Sequence, residues 1–282
     1  MIHGIINVYK EKGFTSHDVV AKLRGIVGQK KIGHTGTLDP DATGVLPVCL
    51  GKATKLCDLL TDKNKTYEAV LLLGKTTDTQ DITGEVLEEK STEALTEEKV
   101  REAIEGFIGD YEQIPPMYSA LKVNGKKLYE LAREGKVIER KARPVKILDI
   151  QILEIDLPKV RMEVSCSKGT YIRTLCHDIG EKLGCGGCME SLIRTRVSTF
   201  RIEDAKMLDE IETLKQEGKL AELLVPIDAM FPSYPKITVK DDWKAFAKNG
   251  NPLDLKMLKE ACGQDEETQV RLYDESGKFI AI

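Results

Sequence analysis

Residues 33–47 carry the chain's densest set of side chains able to do chemistry: Gly33-His34-Thr35-Gly36-Thr37-Leu38-Asp39-Pro40-Asp41-Ala42-Thr43-Gly44-Val45-Leu46-Pro47. Three Gly and two Pro in these fifteen residues argue against a long helix or an inner strand, and so predict a rigid loop. One His, two Asp and three Thr held on a stiff loop lose little entropy on meeting a substrate, which suits catalysis. Asp39 and Asp41 could equally form Asx turns or cap a helix. Asp39-Pro40-Asp41-Ala42-Thr43 also fits the D-x-D-x-T pattern, in which the first Asp attacks phosphorus beside Mg²⁺. That chemistry wants a buried hydrophobic strand just before the first Asp, and His34-Thr35-Gly36-Thr37 does not supply one.

Ser167-Lys168-Gly169-Thr170-Tyr171-Ile172-Arg173 puts a glycine turn between a strand and a helix. Arg173, in the helix's first turn, could pair with a substrate phosphate or orient a catalytic carboxylate, or it could be a surface arginine. Lys65-Thr66-Tyr67 opens a strand with an aromatic face that could stack on a base or join the core. Cys185-Gly186-Gly187-Cys188, with Cys176 and His177 upstream, invites a zinc reading. Adjacent helical residues point about 100° apart, so Cys176 and His177 do not easily face one ion, and no metal site is expected.

The elements that must place these groups alternate irregularly. Ser16, Asp18 and the apolar spacing Val19, Val20, Leu23, Ile26 and Val27, closed by Gly28, predict a capped helix with Ser16 at its start. Tyr67–Leu73 and Val160–Cys166 read as strands. Helices are expected from Thr96, from Lys126 to Glu134, and from Ile172 to Leu183. Helices between some strands but not others predict an α+β fold with a mixed, mostly antiparallel central sheet. The prolines at 226, 232 and 235 mark a boundary. Short strand-like runs (Ile237 to Lys240, Gln269 to Tyr273, Lys278 to Ile282) then predict a small, mostly-β C-terminal module over residues 232–282, after a catalytic domain over 1–231.

With 282 residues the chain can bury a sizeable core, and no apolar run reaches membrane-spanning length. Seven cysteines and no signal peptide at the start predict reduced thiols and a cytoplasmic protein. The net charge of -4 hides an uneven distribution. Residues 119–147 hold nine Lys/Arg against three Glu, a net of +6, whereas 76–105 carry a net of -7. A polyanion would be drawn to one and repelled by the other, unless both are simply solvated faces.

Six motifs in one order resemble the bacterial TruB family, tRNA pseudouridine-55 synthases. They are Gly33 to Pro40, Gly44 to Pro47, Lys65-Thr66-Tyr67, Thr77-Asp78-Thr79-Gln80-Asp81, Pro115-Pro116-Met117-Tyr118-Ser119-Ala120-Leu121-Lys122 and Ser167 to Arg173. The resemblance spans most of residues 4–200, and Asn249-Gly250-Asn251-Pro252 and Gly277-Lys278-Phe279-Ile280 resemble the family's PUA-like module. It implies the pseudouridine synthase fold and isomerisation of a flipped-out uridine in the TΨC loop of tRNA. The N1–C1′ bond breaks, the base turns, and C5 joins C1′. Nothing is oxidised and no group leaves, so no cofactor is implied.

On this resemblance Asp39 starts the cleavage, either by attack or by way of a glycal. Arg173 holds Asp39, Tyr67 stacks on the base, and His34, Tyr171 and Leu192 wall the pocket. An insert at about 115–147 closes over RNA phosphates while the acidic 76–105 stretch stays away. Its Lys122, Lys126, Lys127, Arg133 and Arg143, together with Lys10, are the expected RNA contacts. The implied partner is tRNA, through its T stem-loop, with no membrane, no obligatory protein partner and a monomeric enzyme. Two other classes stay open on the residues alone: a Mg²⁺-dependent phosphoryl transferase built on Asp39 and Asp41, and a non-catalytic RNA binder.

Overall fold

The computed structural model describes residues 1–123, 125–259 and 268–282. The chain enters on β1 (Gly4–Lys10), turns through α1 (Ser16–Val27) and returns by β2 (Ile32–His34) and β3 (Thr43–Leu50). Helix α2 (Cys57–Thr61) leads to β4 (Lys65–Leu73), the hairpin of β5 (Lys75–Thr77) and β6 (Val86–Glu89), and α3 (Glu97–Glu105). After β7 (Gly109–Gln113) come the hairpin of β8 (Lys122–Val123) and β9 (Lys126–Lys127) and helix α4 (Leu128–Arg133). Then follow β10 (Arg143–Asp156), β11 (Lys159–Cys166), α5 (Ile172–Lys182), β12 (Gly187–Val197), β13 (Phe200–Arg201) and α6 (Leu208–Gln216). The tail is β14 (Lys236–Thr238), α7 (Lys244–Lys248), β15 (Arg271–Tyr273) and β16 (Phe279–Ala281).

The main sheet runs β1-β3-β12-β4-β11-β10-β7, with β2 paired to β3 and β13 to β12. Only the β12–β3 contact is parallel. The expected α+β class with a mixed, mostly antiparallel sheet is what the chain adopts. Strand β4 shows why: Lys65, Tyr67, Ala69, Leu71 and Leu73 point inward while the residues between them are half-buried, the period of two that a one-sided sheet imposes. Helices α3 and α5 cover that inner face through Val100, Ile104, Leu175 and Ile179. Helices α1 and α6 cover one face of β1 and β3, with Leu23 and Leu46 fully buried at about 2 kcal/mol each. Among the described residues no helix is long and apolar enough to cross a membrane.

Three local expectations are corrected. Thr15, not Ser16, caps α1, in a capping box with Asp18. Ser16 is buried instead. Residues 33–47 are not all loop, since β2 ends at His34 and Thr43–Pro47 opens inner strand β3. Pro47 is tolerated there because its carbonyl faces Thr35 at 3.2 Å, where β3 is passed from neighbour β12 to neighbour β2, so the missing N–H breaks no ladder bond. Lys126 and Lys127 form a strand, and the helix begins only at Leu128.

The tail forms a separate sheet, β14-β15-β16. It is moored to the main body by the Tyr273 hydroxyl, which donates to Asp228 Oδ2 at 2.6 Å.

Candidate active site

Asp39 lies between β2 and β3 on a segment tied down from several sides. Buried Ser16 accepts from Leu38 N at 2.9 Å, and Gly13 N donates to Pro40 O at 2.9 Å. Arg194, only 1 % exposed, donates from Nε to Val45 O at 2.7 Å and from Nη2 to Gly36 O at 3.4 Å, so one guanidinium grips both ends of the loop. Gly44 makes that closeness possible, because a Cβ there would stand 2.3 Å from Arg194 O, and its φ of 104° suits only glycine.

Arg173 meets Asp39 through Nε to Oδ2 at 3.0 Å and Nη2 to Oδ1 at 3.4 Å. Two bonds along the carboxylate edge fix its direction as one bond would not. The arginine side chain is 6 % exposed and the aspartate 42 %, so the carboxylate stands at the mouth of the site while its partner is sealed behind it. Arg173 also donates to Thr79 O and to Tyr118 O, each at 2.9 Å, and stands 3.7 Å from Asp81 Oδ2. The Thr77–Asp81 motif is therefore a self-bonded loop presenting a carbonyl and a carboxylate to Arg173. Thr77 and Thr79 hydroxyls donate to Asp81, and Thr174 Oγ1 donates to Gln80 Oε1 at 2.7 Å. Residues 78–81 of the acidic stretch fold into the site because a buried guanidinium needs acceptors.

Tyr67 and Leu192 share the apolar floor with Leu38 and Ala42. Tyr67 is hydrogen-bonded to Arg194, its register partner across β4 and β12, and burial raises its phenol above the ordinary value, which keeps it protonated. Tyr171 precedes α5 and exchanges two backbone hydrogen bonds with the Gln113 amide, at 2.8 and 3.0 Å. His34 packs edge-to-face on His17 at 5.3 Å, and burial holds its imidazole below the ordinary value, favouring the neutral ring.

The expected RNA contacts divide. Lys122, Lys126, Arg133 and Arg143 are exposed, and Lys127 is half-buried with its ammonium 3.1 Å from the Tyr129 hydroxyl. Lys10 is not a surface group. It is fully buried, and its ammonium donates to Glu11 O, Phe14 O and Pro40 O at 2.6–3.1 Å, so no phosphate reaches it. Burial lowers it from 10.5 to about 8, against the opposing pull of Asp39 and Asp41. Asp41 is 55 % exposed and 3.8 Å from Lys12, whereas the carboxylates facing Arg173 are those of Asp39 and Asp81. Among the described residues no group of three or more His, Cys, Asp or Glu could hold a metal ion. The six described cysteines are free, and Cys262 lies outside the described residues.

Sequence reasoning missed Ser16 and Arg194. The signal for Arg194 was present: period-two alternation along Leu192–Arg194 puts it on the face already assigned to Leu192.

Comparison with known proteins bears on this geometry. Family models described as the TruB family pseudouridylate synthase N-terminal domain and the tRNA pseudouridylate synthase B C-terminal domain match residues 24–172 and 173–232. That division falls at Arg173, yet β12 from the second stretch lies between β3 and β4 from the first, so the two build one sheet. The tRNA pseudouridine synthase B of Lachnoclostridium phytofermentans is 58 % identical, covering 100 % of this chain and 94 % of that one. The one from Bacillus pumilus is 45 % identical over 100 % and 93 %. A solved Cbf5-Nop10-Gar1 complex contains a chain of TM-score 0.71 and 30 % identity, covering 98 % of this chain and 76 % of that one. A chain of an H/ACA RNP bound to a substrate RNA containing 2′-deoxyuridine has TM-score 0.71 and 28 % identity over 99 % and 76 %.

Proposed function

The chain belongs to the TruB family of pseudouridylate synthases, and from that premise we propose that Asp39 is the group that starts isomerisation of uridine 55 in the TΨC loop of tRNA. The enzyme is an isomerase, a tRNA pseudouridine synthase. The observation that carries the site assignment is the two-bonded pairing of a half-exposed Asp39 with a sealed Arg173. It leaves one carboxylate aimed outward at a fixed angle, with Tyr67 and Leu192 below it as an apolar surface for a pyrimidine. His34 and Tyr171 form the walls, and a flipped nucleotide exchanges its lost stacking for these contacts.

In this reading residues 1–231 are catalytic. The insert at about 115–147 supplies Lys122, Lys126, Lys127, Arg133 and Arg143 to the T stem-loop, and 232–282 act as a PUA-like module. Tyr118, at the insert's base, gives its carbonyl to Arg173, so the RNA-facing arm and the catalytic pair share an anchor. The enzyme works as a monomer in the cytoplasm, without cofactor or obligatory protein partner. The test is incubation with an unmodified tRNA transcript and mapping of converted uridines. The expected result is a single pseudouridine at position 55, made by the wild type and lost by at least about 10³-fold in Asp39→Asn with tRNA affinity retained. Substantial turnover by Asp39→Asn would remove Asp39 from its role, and conversion elsewhere would remove the T-loop assignment.

A further inference from the structure

Behind the catalytic loop, on the outer face of the sheet, is a groove of about 360 Å³ lined by Lys63, Asn64, Thr66, Ser165, Arg196 and Ser198, among others. The backbone builds it deliberately. The β12–β4 register shifts between Arg194 and Arg196, so Arg194 pairs with Tyr67 and is buried, whereas Arg196 pairs with Thr66 and is exposed. A bulge re-aims side chains in this way and recurs beside active sites. In the turn that follows, Ser198 has φ 53°, a left-handed conformation uncommon without glycine, and its N–H donates to Asn64 O at 3.1 Å, joining two walls.

Several donors in this groove are unspent. Arg196 uses Nε on Ser198 O at 2.7 Å and has its terminal nitrogens free, and the Lys63 ammonium and the Ser198 and Thr199 hydroxyls have no partner among the described residues. Lys65, in the same lining, has its ammonium on Thr61 O and Lys63 O, and the Thr66 and Ser165 hydroxyls pair with each other at 3.0 Å. Among the described residues no carboxylate lines the groove. It also adjoins the catalytic loop, since Lys65 Cε lies 3.9 Å from where a Cβ on Gly36 would stand.

We propose that this groove is an anion subsite that takes a backbone phosphate of the RNA whose uridine reaches Asp39, an inference that rests on the functional reading above. Two free cations flanked by hydroxyl donors match a phosphodiester, and such contacts set the register of a nucleic acid without reading its sequence. Tyr67 and Thr66 are successive residues on opposite faces of β4, so the RNA would cross the strand ends with its base on one side and its backbone on the other.

The experiment measures binding of an unmodified tRNA transcript over a range of salt for three proteins: wild type, Lys63→Gln/Arg196→Gln, and Lys215→Gln/Lys219→Gln, which removes the same charge near α6. The groove variant should bind about tenfold more weakly, with a salt slope lower by roughly 1.5, while kcat at saturating tRNA is unchanged and the α6 variant binds as wild type does. Equal affinity and slope in the groove and α6 variants would overturn the proposal. If the groove variant melts early, Arg196→Lys alone must retain affinity while Lys63→Gln alone weakens it, and no change in the latter defeats the idea. Inorganic phosphate separates the sources: phosphate binding that depends on Lys63 and Arg196 with unaltered tRNA affinity would make this a free-anion site and refute the RNA contact. A wild type that forms no pseudouridine would sink the functional reading, whereas normal conversion with an indifferent groove variant would sink only the subsite.

Discussion

The catalytic centre and the 115–147 insert are both rich in cations, and they use them in opposite ways. At the centre Arg173, Arg194 and Lys10 are almost wholly buried and direct their donors at named carbonyls or at Asp39. In the insert Lys122, Arg133 and Arg143 are exposed, and Lys126 has, among the described residues, only Glu134 at 3.9 Å. Removing a cation from water is costly unless its donors are met, so a buried arginine becomes a geometric clamp. An exposed one costs little to keep, remains free, and can give its charge to a phosphate. The same residue types thus supply position in one region and affinity in the other.

The comparison can be broken by substitutions, and the sharpest is Arg173→Lys. Lysine keeps the charge but loses the paired bonds to Asp39 and cannot also reach Thr79 O and Tyr118 O. We expect kcat to fall by about 10²–10³-fold with tRNA affinity within a few-fold, measured by single-turnover kinetics. An equal loss in binding would mean that this cation serves affinity after all. Next is Arg194→Met, which strands the carbonyls of Gly36 and Val45 and should lower unfolding free energy by about 2–4 kcal/mol in denaturant titration. No loss would show that the loop holds itself.

Smaller effects are expected in the insert. Replacing Lys126, Lys127 and Arg133 together with Ala should weaken tRNA binding about tenfold and lower the salt slope by roughly 2, with kcat at saturation and thermal stability unmoved. Unchanged affinity and slope would return these residues to the status of a solvated face. The last concerns pH. Lys10 is lowered from 10.5 to about 8, so the folded chain releases this proton at a lower pH than the unfolded chain. Between those values the unfolded state binds more protons, and linkage makes folding more favourable as pH rises. The stability difference between wild type and Lys10→Met should therefore shift in favour of wild type from pH 8 to pH 10. A flat difference would mean that the buried ammonium is as well stabilised as an exposed one.

Some of this was legible in the residues. Periodicity placed α1, α5, β4 and β11 to within a residue or two, because alternating burial is written directly in residue type. The Asp39 loop stood out through its glycines and prolines. Composition misjudged where that loop ends, since Gly44 and Pro47 inside β3 are explained by neighbours, Arg194 and Thr35, that are distant in the chain.

What the sequence determined by itself was the inventory: an α+β chain, a pinned aspartate, a strand-turn-helix arginine, a basic insert and an acidic stretch. Each is a local property, readable from a window of a few turns. Only the tertiary structure decided which charges are sealed and which are free. It buried Lys10, brought Asp39, Thr79 and Tyr118 to one guanidinium at position 173, and used one bulge to send Arg194 inward and Arg196 outward. A charge's role depends on its distance from water and on acceptors supplied by other strands, and neither is encoded within reach of the residue itself.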